Sequence, residues 1–177
     1  ADRDYQVVIA LLGVTNLRLG QNTSRLVEKL GIETRSDYQW VSVANPKGQD
    51  DAKDIESWIL KGRTVLIPIL KNVQRIRHAA EVMEKIPALN NCKCLIIDDE
   101  ADQASLNTLV RVGEESGVYS AIDRLRSAIR LHAYVQFTAT PYAPLLLEPT
   151  DPLFPKFVTF LEPGLGYTGC LLYTSDA

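Results

Sequence analysis

Apolar segments of strand length alternate along this chain with segments in which apolar residues recur at helical spacing. Such alternation predicts an α/β fold built on a parallel sheet with flanking helices. The predicted strands cover residues 6–12, 38–43, 64–70, 94–97 and 134–138. The predicted helices cover residues 21–30, 51–60, 73–85 and 118–130. The run at 94–97 has no polar residue, which is typical of a strand buried on both faces of such a sheet.

An acidic turn, residues 98–102, follows this buried strand directly. The carboxyl ends of parallel strands form the edge at which open α/β sheets bind ligands, so we expect the acids there. Mg²⁺ takes one or two carboxylates alongside substrate phosphates, which makes Asp99 a candidate magnesium ligand. Glu100 is then a candidate base for an attacking water. The alternative interpretation is a strand that ends in a solvated acidic turn.

A second polar turn, Thr138-Ala139-Thr140, follows the last predicted strand and is closed by Pro141. Small hydroxyl side chains at a strand end can donate hydrogen bonds to neighbouring carboxylates and reach a ligand. Alone, such a turn closed by proline would only mark the end of a strand. In combination, Asp-Glu-Ala-Asp at 99–102 and the Thr-Ala-Thr further along the chain resemble motifs II and III of superfamily 2 helicases and translocases.

Longer runs of the chain are similar to the Z-one domain family, whose members are endonucleases with a helicase-like ATPase core in bacterial restriction and defence. The matching runs are residues 12–18, 70–72, 98–105 and 137–143, with continuation at 154–155 and 166–169. The resemblance therefore covers about residues 5–169. It implies a RecA-like domain of the P-loop NTPase type, a DEAD-like hydrolase that uses ATP and Mg²⁺ and contacts the DNA backbone.

The resemblance also implies roles for individual residues of the two turns. It implies that Asp99 and Glu100 are catalytic, with Asp99 on the metal and Glu100 activating water. It further implies that four residues couple the nucleotide state to DNA contacts, namely Asp102, Thr138, Ala139 and Thr140.

Nucleic-acid contacts are implied after the first and third predicted strands. The candidates are Thr15, Asn16, Arg18, Gln21, Lys71 and Asn72. Arg and amide side chains in such loops contact phosphate without reading the base sequence. For Thr15 and Asn16 the alternative is simple helix capping. For Lys71 and Asn72 a second phosphate contact is one interpretation, since strand ends converge at one edge, and a purely local helix start is the other.

Composition narrows the possible functions mainly by exclusion. The chain has 177 residues, of which 46% are hydrophobic and 23% charged, so it can bury a core and is not disordered in composition. A net charge of -3 argues against a continuous basic groove, so any nucleic-acid contact must be local. Cys92 and Cys94 lack a second pair at metal-ligand spacing. His78 and His132 have no paired nucleophile and are expected to be structural.

No apolar run approaches the ~20 residues that a membrane-spanning helix needs. The beginning of the chain also lacks the charged-then-apolar pattern of a signal peptide. We therefore expect a cytoplasmic protein with no membrane partner.

Three regions are expected along the chain. Residues 1–143 are expected to form part of a first RecA-like domain, without its phosphate-loop strand. Residues 144–169 are expected to be an extended segment toward a second RecA-like domain, because five of the nine prolines fall between positions 141 and 155. Residues 170–177 resemble translated sequencing-adapter sequence from metagenomic assemblies and are expected to be a non-native tail.

The function expected from these features is that of a DNA-dependent, helicase-like ATPase in an endonuclease of restriction or defence. The chain by itself is expected to be inactive, because no Gly-Lys-Thr or Gly-Lys-Ser phosphate loop precedes the first strand. The rival hypothesis is a catalytically degenerate NTPase-like domain that binds DNA or serves assembly. A two-metal nuclease built on Asp98, Asp99 and Glu100 is disfavoured, since the two motifs already account for these acids.

Overall fold

The structure is a computed structural model. It describes residues 4–13, 15–32, 34, 39–104, 117–140, 145 and 147–162, and the side chains of residues 16–18, 103 and 104 lie outside this description. The expected tail at 170–177 also falls outside the described residues.

Five strands and five α-helices make up the described chain. The strands are β1 (Tyr5–Leu12), β2 (Trp40–Ser42), β3 (Thr64–Leu70), β4 (Lys93–Asp98) and β5 (His132–Gln136). The helices are α1 (Asn16–Leu30), α2 (Gly48–Leu60), α3 (Val73–Met83), α4 (Ala101–Ala104) and α5 (Gly117–Ser127), with a 3-10 turn at Pro87–Asn91.

All five strands lie in one parallel sheet with the order β2-β3-β1-β4-β5. The prediction of an α/β fold with a parallel sheet is confirmed. β1 is the central strand, and its Val8 pairs with Leu66 of β3 on one side and Leu95 of β4 on the other. Parallel strands cannot be joined by hairpins, so helices carry the connections between them.

Alternate residues of β1 face the two sides of the sheet, as the period of a strand requires. Ile9 and Leu11 belong to the larger apolar cluster, which also contains the buried faces of α2, α3 and α5. Ala10 and Leu12 pack on the opposite side with Leu19 of α1. The sheet is therefore covered by helices on both faces around β1, which leaves its carboxyl edge as the surface where loops can carry chemistry.

The beginning of α1 corrects the sequence prediction. The helix was expected at Gln21 but begins at Asn16, so Asn16, Arg18 and Gln21 lie in the helix instead of a loop before it. Gly20 favours the later start, yet glycine within a helix costs only ~1 kcal/mol relative to alanine. Burial of Leu19 against the sheet outweighs that cost.

Part of the proline-rich segment packs against the domain. Leu153 is buried in the larger cluster, and the Tyr119 hydroxyl of α5 donates to Asp151 Oδ1 at 2.9 Å. Beyond it, Phe157, Phe160 and Leu161 are exposed. The segment at 147–154 is thus part of the folded unit described here.

Of the helices described, none is both long enough and apolar enough to cross a bilayer.

Replacement of the fully buried Ile9 by alanine should destabilise the fold, because β1 is central and a cavity there cannot collapse. We expect a loss of about 2–5 kcal/mol in the free energy of unfolding, measured by denaturant titration. The matched control is Leu60→Ala at the exposed end of α2, where Leu60 is 74% exposed. Its effect should stay within about 0.5 kcal/mol, and an equal loss in both variants would contradict the assigned position of β1.

Candidate functional site

The carboxyl ends of β1, β4 and β5 are tied together by backbone hydrogen bonds. The amide of Asp99 donates to the carbonyl of Leu11 at 3.1 Å. The amide of Phe137 donates to the carbonyl of Asp98 at 2.8 Å, and that of Ala101 donates back to the carbonyl of Phe137 at 3.0 Å. The acidic turn and the Thr-Ala-Thr turn therefore leave the sheet side by side, and the parallel register of β4 with β5 brings this about.

Asp102 joins the two turns through its carboxylate. Thr138 Oγ1 donates to Asp102 Oδ1 at 2.5 Å, and Thr140 Oγ1 donates to Asp102 Oδ2 at 2.6 Å. The amide of Thr140 in turn donates to Thr138 Oγ1 at 2.9 Å, which holds the two hydroxyls on the same side. Ala139, between them, is exposed. Asp102, Thr138 and Thr140 therefore meet at the carboxyl edge of the sheet, where the acids were expected.

The two hydroxyls change the acidity of Asp102. Their hydrogen bonds, first that of Thr138 and then that of Thr140, stabilise the carboxylate and lower the pKa of Asp102 below its ordinary value. The positive charge of Lys71 contributes in the same direction. Asp102 is therefore held ionised, as an acceptor for both threonines.

Asp99 and Glu100 occupy the turn itself, and both are partly buried. Asp99 Oδ1 accepts a hydrogen bond from the amide of Glu100 at 3.1 Å. Glu100 has a φ of 51°, in the left-handed region that side-chain-bearing residues seldom adopt. Glu100 lies in the turn between β4, which ends at Asp98, and α4, which begins at Ala101.

Lys71, directly after β3, reaches beneath the acidic turn and is only 2% exposed. Its Nζ lies 2.6 Å from Asp98 Oδ1 as an ion pair. The same ammonium donates to the carbonyl of Asp99 and, at 3.1 Å, to the carbonyl of Glu100. The ammonium therefore donates to two backbone carbonyls, and Asp98 Oδ1 is its ion-pair partner without the geometry of a hydrogen bond.

Asp98 is fully buried, and its second oxygen is also engaged. The Tyr134 hydroxyl of β5 donates to Asp98 Oδ2 at 2.6 Å. Burial of the phenol raises the pKa of Tyr134 well above its ordinary value, and the negative charge of Asp98 adds to the effect. The phenol therefore stays protonated as a donor, and Lys71, Asp98 and Tyr134 form a buried polar group beneath the acidic turn.

The positions of Lys71 and Asn72 bear on their expected role as phosphate contacts. The ammonium of Lys71 is buried against Asp98 and the carbonyls of the acidic turn, so it does not face the solvent from which phosphate would bind. Asn72 is the N-cap of α3, and its Oδ1 accepts from the amide of Arg75 at 2.9 Å. The local alternative for Asn72, that it starts a helix, is what the structure shows.

The other candidate nucleic-acid contacts lie at the start of α1. The carbonyl of Thr15 accepts from the amide of Leu19 at 3.0 Å, so Thr15 directly precedes the helix, and its side chain is exposed. Gln21 is exposed one turn further along. Asn16 and Arg18 lie in the first turn, and their side chains fall outside the described part of the chain.

Two residues of this edge were not singled out from the sequence. Asn45, after β2, has a left-handed φ of 49° and accepts the amide of Leu70 on its side-chain oxygen at 2.8 Å. Tyr134 completes the bonding of Asp98. The sequence carried a weak signal for both. Asparagine tolerates the left-handed region, and the hydroxyl of a tyrosine in a strand of the sheet usually finds a hydrogen-bond partner when it is buried.

The acidic turn offers oxygen ligands of the type that Mg²⁺ prefers. Asp98 is buried in contact with Lys71 and Tyr134, whereas Asp99 and Glu100 are partly exposed. Within the described ranges, no group of three or more His, Cys, Asp or Glu side chains could by itself hold a metal ion. A magnesium shared with substrate phosphates needs only one or two carboxylates, and Asp99 satisfies that requirement.

No protein-family model matches the chain, and neither a curated protein nor a solved structure matches it.

Removal of one charge of the buried ion pair should cost more stability than removal of both charges. Lys71→Met leaves the Asp98 charge buried without a partner, so we expect a loss of about 3–5 kcal/mol in the free energy of unfolding. Adding Asp98→Asn to Lys71→Met removes that charge and should recover most of the loss. Denaturant titration of both variants tests this, and equal stability of the two would contradict the burial of the pair.

The pKa of Asp102 should stay below its ordinary value for as long as both threonines donate to its carboxylate. An unfolded aspartate titrates near pH ~3.9, so the lowered folded value contributes stability above that pH, lost as the pH falls through the folded pKa. Thr138→Val should move the pKa of Asp102 upward toward the ordinary value, as measured by NMR titration of its carboxyl carbon. The hydroxyl-retaining Thr138→Ser serves as the control and should leave the titration nearly unchanged.

Proposed function

We propose that the chain is the central part of the first RecA-like domain of a superfamily 2 type ATPase, similar to the Z-one domain endonucleases. The observation that carries this proposal is the carboxylate of Asp102, which accepts hydrogen bonds from both Thr138 and Thr140. It joins an Asp-Glu-Ala-Asp turn to a Thr-Ala-Thr turn on the neighbouring strand. Two solvated loops that only happen to follow adjacent strands would not be expected to share a carboxylate that accepts two hydrogen bonds.

Glu100 is the proposed base for ATP hydrolysis. A carboxylate that takes the proton of an attacking water must be held in place. Glu100 is partly buried in a turn that is hydrogen-bonded to β1 and to Phe137, directly after β5. Asp99 is the proposed ligand of Mg²⁺. Bound Mg²⁺ would supply neutralisation of the charge that develops on the phosphates.

The hydrogen bonds of Asp102 with Thr138 and Thr140 connect the proposed nucleotide site to the segment that follows β5. Asp102 follows Glu100 by two residues, so any shift of the acidic turn on binding nucleotide acts on the hydroxyls of Thr138 and Thr140. These threonines begin the segment that leads away from β5. In this proposal the link transmits the nucleotide state to the next part of the parent protein.

DNA contact is proposed at the start of α1, at the same edge of the sheet. Thr15 and Gln21 are exposed there, and Arg18 lies in the same turn region. Amide groups and Arg side chains at a helix start suit phosphate oxygens. The proposal leaves Lys71 and Asn72 out of DNA contact, because the first is ion-paired and the second caps α3.

Two substitutions in the parent protein separate binding from hydrolysis. Glu100→Gln keeps shape and hydrogen bonding but cannot accept a proton, so we expect loss of DNA-stimulated phosphate release with nucleotide binding retained. Asp99→Ala removes a charge from the metal site, so it should weaken Mg²⁺-nucleotide affinity instead. Nucleotide titration and phosphate release measure the two effects.

The control for this comparison is Asp54→Ala, which removes an exposed acid of α2. It should change neither nucleotide affinity nor phosphate release. If Glu100→Gln and Asp99→Ala behave like this control while the parent protein still binds DNA, the domain is a degenerate binding or assembly module and the ATPase proposal is wrong.

A further inference from the structure

Glu100 adopts a backbone conformation that its surroundings must hold. Its φ of 51° places a side-chain-bearing residue in the left-handed region, where Cβ approaches the neighbouring carbonyl. Residues persist in such conformations only when the structure around them over-determines it. The direction of the Glu100 side chain follows from this backbone, so whatever holds the backbone also aims the carboxylate.

The ammonium of Lys71 contacts the carbonyls on both sides of the Glu100 α-carbon. It donates to the carbonyl of Asp99, which belongs to the peptide before that carbon, and to the carbonyl of Glu100, which belongs to the peptide after it. Rotation about φ moves the first carbonyl relative to the second, and so does rotation about ψ. One cation bound to both oxygens therefore restrains both rotations.

The ammonium of Lys71 is held in place by Asp98. Asp98 Oδ1 lies 2.6 Å from Lys71 Nζ, and Asp98 Oδ2 accepts from the Tyr134 hydroxyl. Both members of the ion pair are almost completely buried, at 2% exposure for Lys71 and 0% for Asp98. A buried ion pair with hydrogen bonds to both of its charged groups and little water nearby has one strongly preferred arrangement.

We propose that Lys71 is a positioning residue that holds Glu100 in the left-handed conformation through the Asp99 and Glu100 carbonyls, with the ion pair to Asp98 keeping the ammonium in place. Lys71 touches no substrate in this arrangement. Its consequence for catalysis rests on the proposed function, but its effect on the conformation of the acidic turn does not.

A competing explanation lies within the turn. Asp99 Oδ1 accepts the amide of Glu100, and the amide of Ala101 donates to the carbonyl of Phe137. If these two bonds alone fix the turn, Lys71 only neutralises the charge of Asp98. The two explanations predict different backbone conformations of Glu100 once Lys71 and the Asp98 charge are removed together.

The deciding variant is the double substitution Lys71→Met with Asp98→Asn in the full chain. It removes the ammonium without leaving a buried charge, and folding is checked by its melting transition. The carbon chemical shifts of Glu100 report whether its backbone is left-handed. We expect the left-handed signature in the unmodified chain and its loss in the folded double variant, whereas retention of the signature there overturns the proposal.

Tyr134→Phe is the matched control, because it removes one hydroxyl from Asp98 but leaves the contacts of Lys71 with both carbonyls. The Glu100 signature should survive in it. A measurement on the unmodified chain does not depend on any variant folding: NMR couplings across the hydrogen bonds should connect the isotope-labelled Lys71 Nζ with the carbonyl carbons of Asp99 and Glu100. Absence of both couplings overturns the proposal.

Phosphate release in the parent protein extends the test to catalysis. A misaimed base can lower turnover by about 10²-fold, so kcat of the double variant should fall by that order although the protein is folded. If the parent protein shows no turnover but the Glu100 signature depends on Lys71, the ATPase proposal fails and the positioning role stands. If turnover depends on Glu100 but is unchanged in the double variant, the ATPase stands and the positioning proposal is wrong.

Discussion

The buried ion pair between Lys71 and Asp98 is the contact on which the whole carboxyl edge depends. It crosses from β3 to β4 beneath the end of the central strand and brings the acidic turn into contact with a neighbouring loop. Burial of two charges is costly unless every donor and acceptor has a partner. Here the carbonyls of Asp99 and Glu100 accept from the ammonium and the hydroxyl of Tyr134 donates to Asp98 Oδ2, while Asp98 Oδ1 is held by the ion pair alone. These contacts offset part of the cost of burying the two charges.

The Asp102 link is the surface counterpart of that buried pair. Its acceptor lies on the helix after β4, and its two hydroxyl donors follow β5, so it forms only because these strands are neighbours and parallel. The Lys71–Asp98 ion pair and the hydrogen bonds of Asp102 act at opposite ends of the acidic turn. Lys71 and Asp98 hold its backbone from inside, and Asp102 connects its far end to the segment that leaves the sheet. Asp99 and Glu100 lie between these two points of attachment.

Much of the fold could be predicted from the sequence, because burial patterns are local. β3 was predicted at the residues where it lies, and β4 and the neighbouring helices were found with small shifts. The error at α1 had an identifiable cause: Gly20 weakens the local helical signal, and burial of Leu19, which depends on β1 and β3, restores the helix. The end of β5 was placed two residues late, since Phe137 is apolar but exposed after the strand.

The sequence by itself determined that a strand rich in apolar residues ends in acids, that a second ends in threonines, and that both belong to a parallel sheet whose strand ends share an edge. These conclusions follow from residue type and period, which are properties of short segments. Only the tertiary structure decided that Lys71 pairs with Asp98 instead of facing phosphate, and that Tyr134 completes the pair. The reason is physical: the partner of a buried charge is set by which strands are neighbours, and strand order is not written in any single segment.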